Sequence, residues 1–361
     1  MPSPLVSVIV PTFNREHLVG RTIESVLRQT YAAVEVVVVD DGSTDGTAAR
    51  IARDHGGDAR VRYFRKENGG PATARNHGFR QARGAYVALL DSDDTWAPWK
   101  LSLQVRCMER HPEVGMTWTD MEMIDPDGEV VDGAYLRHMY RAYRWFKDEE
   151  LFPRTFALRA IAPDLADVVG DARLRTGEIF SQMIMGNLVH TSTTLLRRER
   201  LERVGGFDES LHLSGEDYDF HLRTCREGPV GLLDVPAIRY QQGMPDRLTA
   251  PRYEVALAEN NLRTIRPAVE RDRSRIHLPA RMLQRRFASA YAWAGYARLE
   301  HGDAGQALGH YLRSLRAWPW QPGLAKQVFL AALPFGAGIP LRRALQRLRR
   351  RLRARREAAA P

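Results

Sequence analysis

The stretch Ala85-Tyr86-Val87-Ala88-Leu89-Leu90-Asp91-Ser92-Asp93-Asp94 decides how this chain is read. An apolar run of strand length stops abruptly in three carboxylates within four residues. Carboxylates this close repel one another, and a hard divalent cation bound through oxygen offsets the repulsion. A cluster just past a strand end also sits where open α/β sheets bind ligands. The competing reading is a solvated acidic turn that caps a helix, and only the rest of the chain separates the two.

Upstream, Val6-Ser7-Val8-Ile9-Val10 reads as a short buried strand halted by Pro11. Leu18, Val19, Thr22, Ile23, Val26 and Leu27 then recur on one helical face. Val34-Glu35-Val36-Val37-Val38-Val39 is an almost continuous β-branched run, as in a strand covered on both faces. Asp40-Asp41-Gly42-Ser43-Thr44-Asp45 ends it, and Ser43 or Thr44 is expected to cap the next helix. Val61 to Phe64 predicts a third strand and Tyr86 to Leu90 a fourth. Strands alternating with helices imply right-handed βαβ units, a parallel sheet and an α/β fold. The loop after the first strand, Pro11-Thr12-Phe13-Asn14-Arg15, contains no G-x-G-x-x-G, which argues against a dinucleotide site.

Downstream, residues 135–185 carry many aromatics and charges with little strand signal, so a helical insertion is expected there. The sheet pattern returns briefly at Thr191, and Leu211 to Arg226 reads as a loop running into a helix. The expected organisation is a catalytic domain over 1–245, a helical extension over 246–325 and a tail over 326–361. Within the extension, Gly295-Tyr296, Gly302-Asp303, Ala307, Tyr311, Ala317 and Pro319 resemble one tetratricopeptide-like helix pair. One repeat cannot bury its own faces, so it is either a hairpin packed on the main domain or a partner-binding unit.

Composition narrows the class. The 361 residues with 44% hydrophobic content fit a globular protein with one large and one smaller domain. Cys107 and Cys225 stand far apart, form no metal-binding spacing and suggest a reducing compartment. Met1-Pro2-Ser3-Pro4 lacks the features of a signal peptide, and the apolar run Val328 to Leu341 is short and broken by Pro334 and Pro340. The net charge of +9 is localised: nine arginines and one acid, Glu357, lie between Arg342 and Pro361. The body is nearly neutral, which argues against a nucleic-acid-binding surface spread over the fold. Leu341, Leu345, Leu348 and Leu352 recur at helical spacing among those arginines, as in an amphipathic anchor for an anionic membrane. A disordered solubilising tail and an RNA-binding arm are the alternatives.

Three further constellations carry chemistry. Asp40-Asp41 ends the second strand as Asp91-Ser92-Asp93 ends the fourth, which suits a ligand bearing hydroxyls, an imide and phosphates. Asn68-Gly69-Gly70 leads into a helix carrying Arg75, a setting that favours anions. Gly205-Gly206-Phe207-Asp208, followed by Gly215-Glu216-Asp217, places carboxylates at a helix start, where one could act as general base. Turn and cap chemistry accounts for each of these taken singly.

Taken in order, the segments Val6 to Asn14, Val36 to Thr47, Asn68 to Gly78, Asp91 to Asp94 and Gly205 to Asp217 resemble the family 2 glycosyltransferases, over about residues 4–245. The resemblance implies a GT-A fold (Rossmann-like, mostly parallel sheet), a nucleotide-diphosphosugar donor such as a UDP-sugar, a divalent cation (Mn²⁺ or Mg²⁺) and inversion at the anomeric carbon. By position it makes Asp41 the contact to the donor base, with Pro11 and Thr12 lining that pocket. It puts Asp91 and Ser92 near the ribose, Arg75 near the diphosphate and Asp93 on the metal. Asp217 becomes the base, with Glu216 and Trp96 supporting it or the acceptor. The chain departs from the resemblance at Arg239-Tyr240-Gln241-Gln242-Gly243, where a histidine often follows a Tyr-Arg segment in that family.

The implied product is a cell-surface polysaccharide or glycoconjugate, made on a glycan or lipid-linked acceptor. The implied place is the cytoplasm, peripheral at the inner face of the cell membrane. Two other classes compete. A sugar nucleotidyltransferase would want a G-G-x-G-T-R-type loop after the first strand, which Pro11 to Arg15 does not supply. A catalytically weak scaffold docking at a membrane would not need Asp41, Asp93 and Asp217 together.

Overall fold

A computed structural model describes residues 3–211, 213–241, 250–321 and 323–332. The chain divides into two units, Met1–Arg247 and Leu248–Pro361.

In the first unit, β1 (Val6–Thr12), β2 (Val34–Asp40), β3 (Val61–Arg65) and β4 (Tyr86–Leu89) form the parallel half of a sheet. The remaining strands are β5 (Thr95–Trp96), β6 (Met116–Ile124), β7 (Val130–Asp132), β8 (Arg154–Ala157), β9 (Arg173–Gly177), β10 (Leu195–Arg197) and β11 (Val230–Gln241). Along the sheet the order is β3-β2-β1-β4-β10-β6-β11-β9-β8, with β5 paired to β11 and β7 to β6. Both flanks of β2 are covered, and Val36 to Val39 are completely buried, as their β-branched run predicts.

Helix Pro71–Gln81 lies very close to β1, because Gly78 carries no side chain. A Cβ there would stand 2.4 Å from Cγ2 of the fully buried Ile9. That approach is what lets Arg75, one turn earlier, reach the sheet edge.

Two local expectations differ from the structure. The helix after β2 starts only at Thr47, and the Asp45 carboxylate accepts the Thr47 amide at 3.0 Å. Ser43 and Thr44 instead staple two loops: Ser43 Oγ accepts the Asn14 amide, and the Thr44 amide donates to Asn14 Oδ1. The 135–185 segment is not purely helical, since β8 and β9 lie in it and extend the sheet beyond β11. Their sequences, Arg154-Thr155-Phe156-Ala157 and Arg173-Leu174-Arg175-Thr176-Gly177, are short and carry little apolar character. Pairing, of β9 to β11 and of β8 to β9, therefore defines them more than any apolar run does.

The second unit holds helices Glu254–Arg271, Ala280–Glu300, Ala304–Ala317 and Ala325–Ala332. Leu299, Ala307, Tyr311, Leu324, Leu330 and Ala331 pack into one cluster. Ser314 Oγ donates to the Ala288 carbonyl at 2.7 Å and pins the second helix of the hairpin to the first. The anchor expected over Val328 to Arg356 falls within the described residues only as far as Ala332; residues 333–361 lie outside them.

Candidate active site

Strand direction assembles the site. β10 runs antiparallel to both β4 and β6, so β6 points the same way as β4, and β11 is parallel to β6. The carboxyl ends of β1, β2, β4, β6 and β11 therefore share one sheet edge. Thr12, Asp41, the Asp91 to Asp94 turn and Tyr240 all belong to that edge.

On the β1–β2 side, Asp40 is fully buried and structural: it accepts the Ser43 amide at 2.7 Å and the Tyr63 hydroxyl at 2.6 Å. Asp41 is the organiser of the glycine loop. Its carboxylate accepts Lys66 Nζ at 2.6 Å, the Gly70 amide at 2.7 Å and the Gly69 amide at 3.1 Å. Its own carbonyl accepts from Asn68 Nδ2 at 2.9 Å. Pro11 and Thr12 are buried beside it, and Thr12 Oγ1 has no hydrogen-bond partner among the described residues.

The three carboxylates after β4 have different fates. Asp91 accepts Arg75 Nη2 at 2.8 Å, which holds it below the usual carboxylate range despite partial burial. Asp94 is buried, accepts the Gln241 amide at 3.3 Å and lies 3.6 Å from His190 Nε2. Asp93 makes no ion pair within 4 Å among the described residues, and only its own backbone amide and the more distant Arg15 charge favour its ionised form. Enclosure by the protein and its neighbours Asp94 and Asp91 push it up to about 7. Ser92 is buried between them, and its carbonyl accepts from Thr22 Oγ1 at 3.0 Å.

A divalent cation fits this arrangement. Among the described residues no three His, Cys, Asp or Glu side chains gather into a ready-made cage. One carboxylate crowded by like charge is compatible with an ion that takes its other ligands from substrate phosphates and water.

Trp96 is buried in the wall behind the turn. Its indole N–H donates to the Ser192 carbonyl at 2.8 Å, and Lys100 Nζ stands 3.9 Å from its ring centroid. Trp96 also borders a cavity of about 270 Å³ with Arg21, Glu24, Ser25, Arg28, Thr95 and Pro98, a lining that includes none of the edge carboxylates.

Helix Glu216–Arg226 brings the second pair of acids. Gly215 precedes it with φ +94°, a left-handed conformation that L side chains rarely adopt, and so turns the chain into the helix at this point. Glu216 accepts Arg75 Nη1 at 2.7 Å, and the Arg75 guanidinium lies over the Phe207 ring. The next residue, Asn76, accepts the Phe207 amide at 2.7 Å and donates to its carbonyl at 2.9 Å. Arg75 thus has its charge shared between Asp91 and Glu216 rather than left open. Asp217, beside Glu216, is raised by burial, with Arg75, His190 and the Tyr218 amide opposing the shift.

His190 was not legible as a site residue. It immediately precedes a run, Thr191 to Thr194, whose polar side chains are buried in the fold, and nothing in the local sequence marks it. Its Nδ1 is 3.2 Å from the Tyr140 hydroxyl, and Asp94, Asp91 and Asp217 raise its pKa against the effect of burial. Gln241, at the end of β11, accepts from Arg21 through its Oε1 at 2.9 Å. Gln242 lies outside the described residues. His221, on the same helix as Asp217, is fully buried with neither ring nitrogen hydrogen-bonded, and burial lowers it to about 3. It is a neutral imidazole.

Residues 7–183, which hold the glycine loop and the acid turn, match the family model Glycosyl transferase family 2. The chain carries a family 2 glycosyltransferase domain. An uncharacterised glycosyltransferase of Rickettsia bellii is 42% identical over 127 residues, 35% of this chain and 18% of that protein. The putative teichuronic acid biosynthesis glycosyltransferase TuaG of Bacillus subtilis is 38% identical over 130 residues, 36% of this chain and 51% of the relative. The chain therefore covers from under a fifth to about half the length of these relatives. Among solved structures, S. aureus TarS 1-349 in complex with UDP-GlcNAc superposes with a TM-score of 0.51 at 18% identity, covering 87% of this chain and 91% of that one. At that identity the likeness concerns the fold, and the fold is GT-A. The family match ends at residue 183, so the helix that carries Glu216 and Asp217 lies beyond it.

Proposed function

We propose that the glycosyltransferase domain moves a sugar from a nucleotide-diphosphosugar, a UDP-sugar foremost, onto a hydroxyl of a glycan or lipid-linked acceptor, with inversion. The observation that carries this reading is the Arg75 bridge. One buried guanidinium fixes Asp91, on the donor edge, and Glu216, beside the base candidate Asp217, into a single unit. The name of the Bacillus relative and the sugar nucleotide bound to the TarS fold neighbour support a nucleotide-sugar donor and a surface polysaccharide product.

In this reading the donor base and ribose lie along Pro11, Thr12, Asp41, Asp91 and Ser92. The unpartnered Thr12 hydroxyl is a ready contact, and Asp41 acts at least by fixing the glycine loop. Asp93 would hold Mn²⁺ or Mg²⁺, and a bound cation supplies Lewis-acid stabilisation of the departing diphosphate. Asp217 accepts the proton of the acceptor hydroxyl as that oxygen bonds to the anomeric carbon and the bond to the diphosphate oxygen breaks. The nucleoside diphosphate leaves with the bonding electrons. One displacement from the opposite face inverts the centre without a covalent sugar-enzyme species. Glu216 and Trp96 support the base and the wall of the site. The protein acts at the inner face of the cell membrane, held there by the basic tail.

The test combines UDP-, GDP- and dTDP-sugars with Mn²⁺ and reads thermal stabilisation, nucleotide release and the anomeric configuration of any product. Stabilisation by one sugar nucleotide with an inverted product is expected. No stabilisation and no nucleotide release with any donor overturns the reading.

A further inference from the structure

An inverting transferase must also deliver an acceptor hydroxyl to its base, and the structure holds an aromatic cluster at the right end of the sheet. Tyr135 and Tyr140 lie beyond β7, and Tyr240 lies near the end of β11, so they come from separate segments. The rings of Tyr135 and Tyr240 stack at 6.0 Å and 18°. His190 meets Tyr240 edge-on at 5.2 Å and 83°, and its Nδ1 is 3.2 Å from the Tyr140 hydroxyl. His190 is buried, the three tyrosines are half-buried as residues, and Tyr140 is the most enclosed of them.

The cluster is braced from behind. Asp120 Oδ1 accepts the Leu136 amide at 3.0 Å, and the Tyr135 amide donates to the Met121 carbonyl at 2.9 Å. The Tyr143 hydroxyl donates to the Leu188 carbonyl at 2.8 Å, two residues before His190. His190 in turn lies 3.6 Å from Asp94 on the acid turn, and both His190 and Tyr140 are within electrostatic reach of Asp217 and Asp91.

Strand order decides which substrate this surface meets. The Asp41 pocket sits between β1 and β2, while the tyrosines sit at β6 and β11, with β4 and β10 between. The cluster is therefore on the far flank of the acid turn from the Asp41 loop, where the charge of Asp217 also reaches Tyr140 and His190. Rigid rings with hydroxyl rims match a sugar, whose C–H face stacks on an aromatic while its hydroxyls find polar partners.

Resting on the reading in the previous subsection, we propose that Tyr135, Tyr140 and Tyr240, gathered around His190, form the acceptor subsite and take a pyranose ring. The ring's C–H face lies on tyrosine and a free hydroxyl faces Asp217. His190 is a positioning residue, joining the tyrosines to the acid turn.

The experiment is saturation-transfer NMR on the full chain with UDP and diamagnetic Mg²⁺ in place of Mn²⁺. Methyl β-D-glucopyranoside is the probe, and sorbitol, an acyclic polyol with no ring face, is the control. Transfer concentrated on the glucoside's ring C–H protons, with none to sorbitol, is expected. Tyr240→Ala should weaken the glucoside response about fivefold, the scale of one lost aromatic stack. Tyr240→Phe should keep it. Thermal stabilisation by UDP and Mg²⁺ in the same samples reports the donor reading separately, so failure of one is not mistaken for failure of the other. If Tyr240→Ala does not fold, Tyr135→Ala is measured in its place. Equal transfer to glucoside and sorbitol, no transfer to either, or a response unchanged by the alanine variants overturns the subsite and leaves the cluster as wall packing.

Discussion

Asp93 and Asp217 are both carboxylates whose pKa is raised, and they ask for different tests. Asp93 is held up to about 7 by enclosure and by Asp94 and Asp91. Its folded value exceeds the unfolded value near 4, so the ionised form is disfavoured in the native state. The metal-free protein should lose stability from this group as pH rises from about 4 to about 7, and a cation that binds the ionised form should restore it. Mn²⁺ is expected to raise the melting temperature more near pH 8 than near pH 5, and Asp93→Asn should abolish the difference. Equal Mn²⁺ shifts at both values would remove Asp93 from the metal site. Asp217 is raised by burial, so the acid limb of kcat/KM should fall above the usual carboxylate range, activity being lost as the base protonates. Asp217→Asn should keep donor affinity, lose about 10²- to 10⁴-fold in turnover and lose that limb. Near-normal turnover in this variant, or a product of retained configuration, would rule out Asp217 as the base.

At the scale of elements, helix Pro71–Gln81 ties the site together: its N-terminal loop is held by Asp41, and its Arg75 and Asn76 hold the Asp91 turn, Glu216 and Phe207. Arg75 and Glu216 are each 6% exposed at the side chain. Removing one member of such a buried pair leaves an uncompensated charge and costs about 3–5 kcal/mol. Arg75→Met should therefore lower unfolding free energy by about that much, and adding Glu216→Gln should recover part of it. Strictly additive losses in denaturant melts would mean that the bridge does not form. This helix also marks how far the sequence could be read. The acidic strand ends were legible because β-branched runs stop abruptly in aspartates, and parallel connections put such ends on one edge. The partners of Arg75 were not, since Glu216 lies 141 residues away and no local pattern encodes that pairing. His190 was hidden for the same reason, and β8 and β9 because they are only four and five residues long and carry no apolar run.

At the scale of the whole molecule, the charge distribution carries the last prediction. Eight of the nine net positive charges belong to residues 342–361, outside the described residues, so the case rests on sequence. Among the described residues no helix is long and apolar enough to cross a membrane. A basic segment with leucines at helical spacing meets an anionic surface through two weak terms, apolar insertion and about 1 kcal/mol for each basic residue near the surface. Neither term alone holds a protein of this size, but nine arginines and four leucines act together, and salt screens only the first of these groups. The full chain should therefore float with vesicles containing phosphatidylserine at low salt, lose most of that binding at high salt and ignore neutral phosphatidylcholine vesicles. Truncation after Pro340 should abolish flotation while nucleotide release persists, because the glycosyltransferase domain and its edge carboxylates are untouched. Flotation that survives the truncation would shift the contact to another surface, and full-length protein that ignores anionic vesicles at low salt would leave the tail with no role as an anchor.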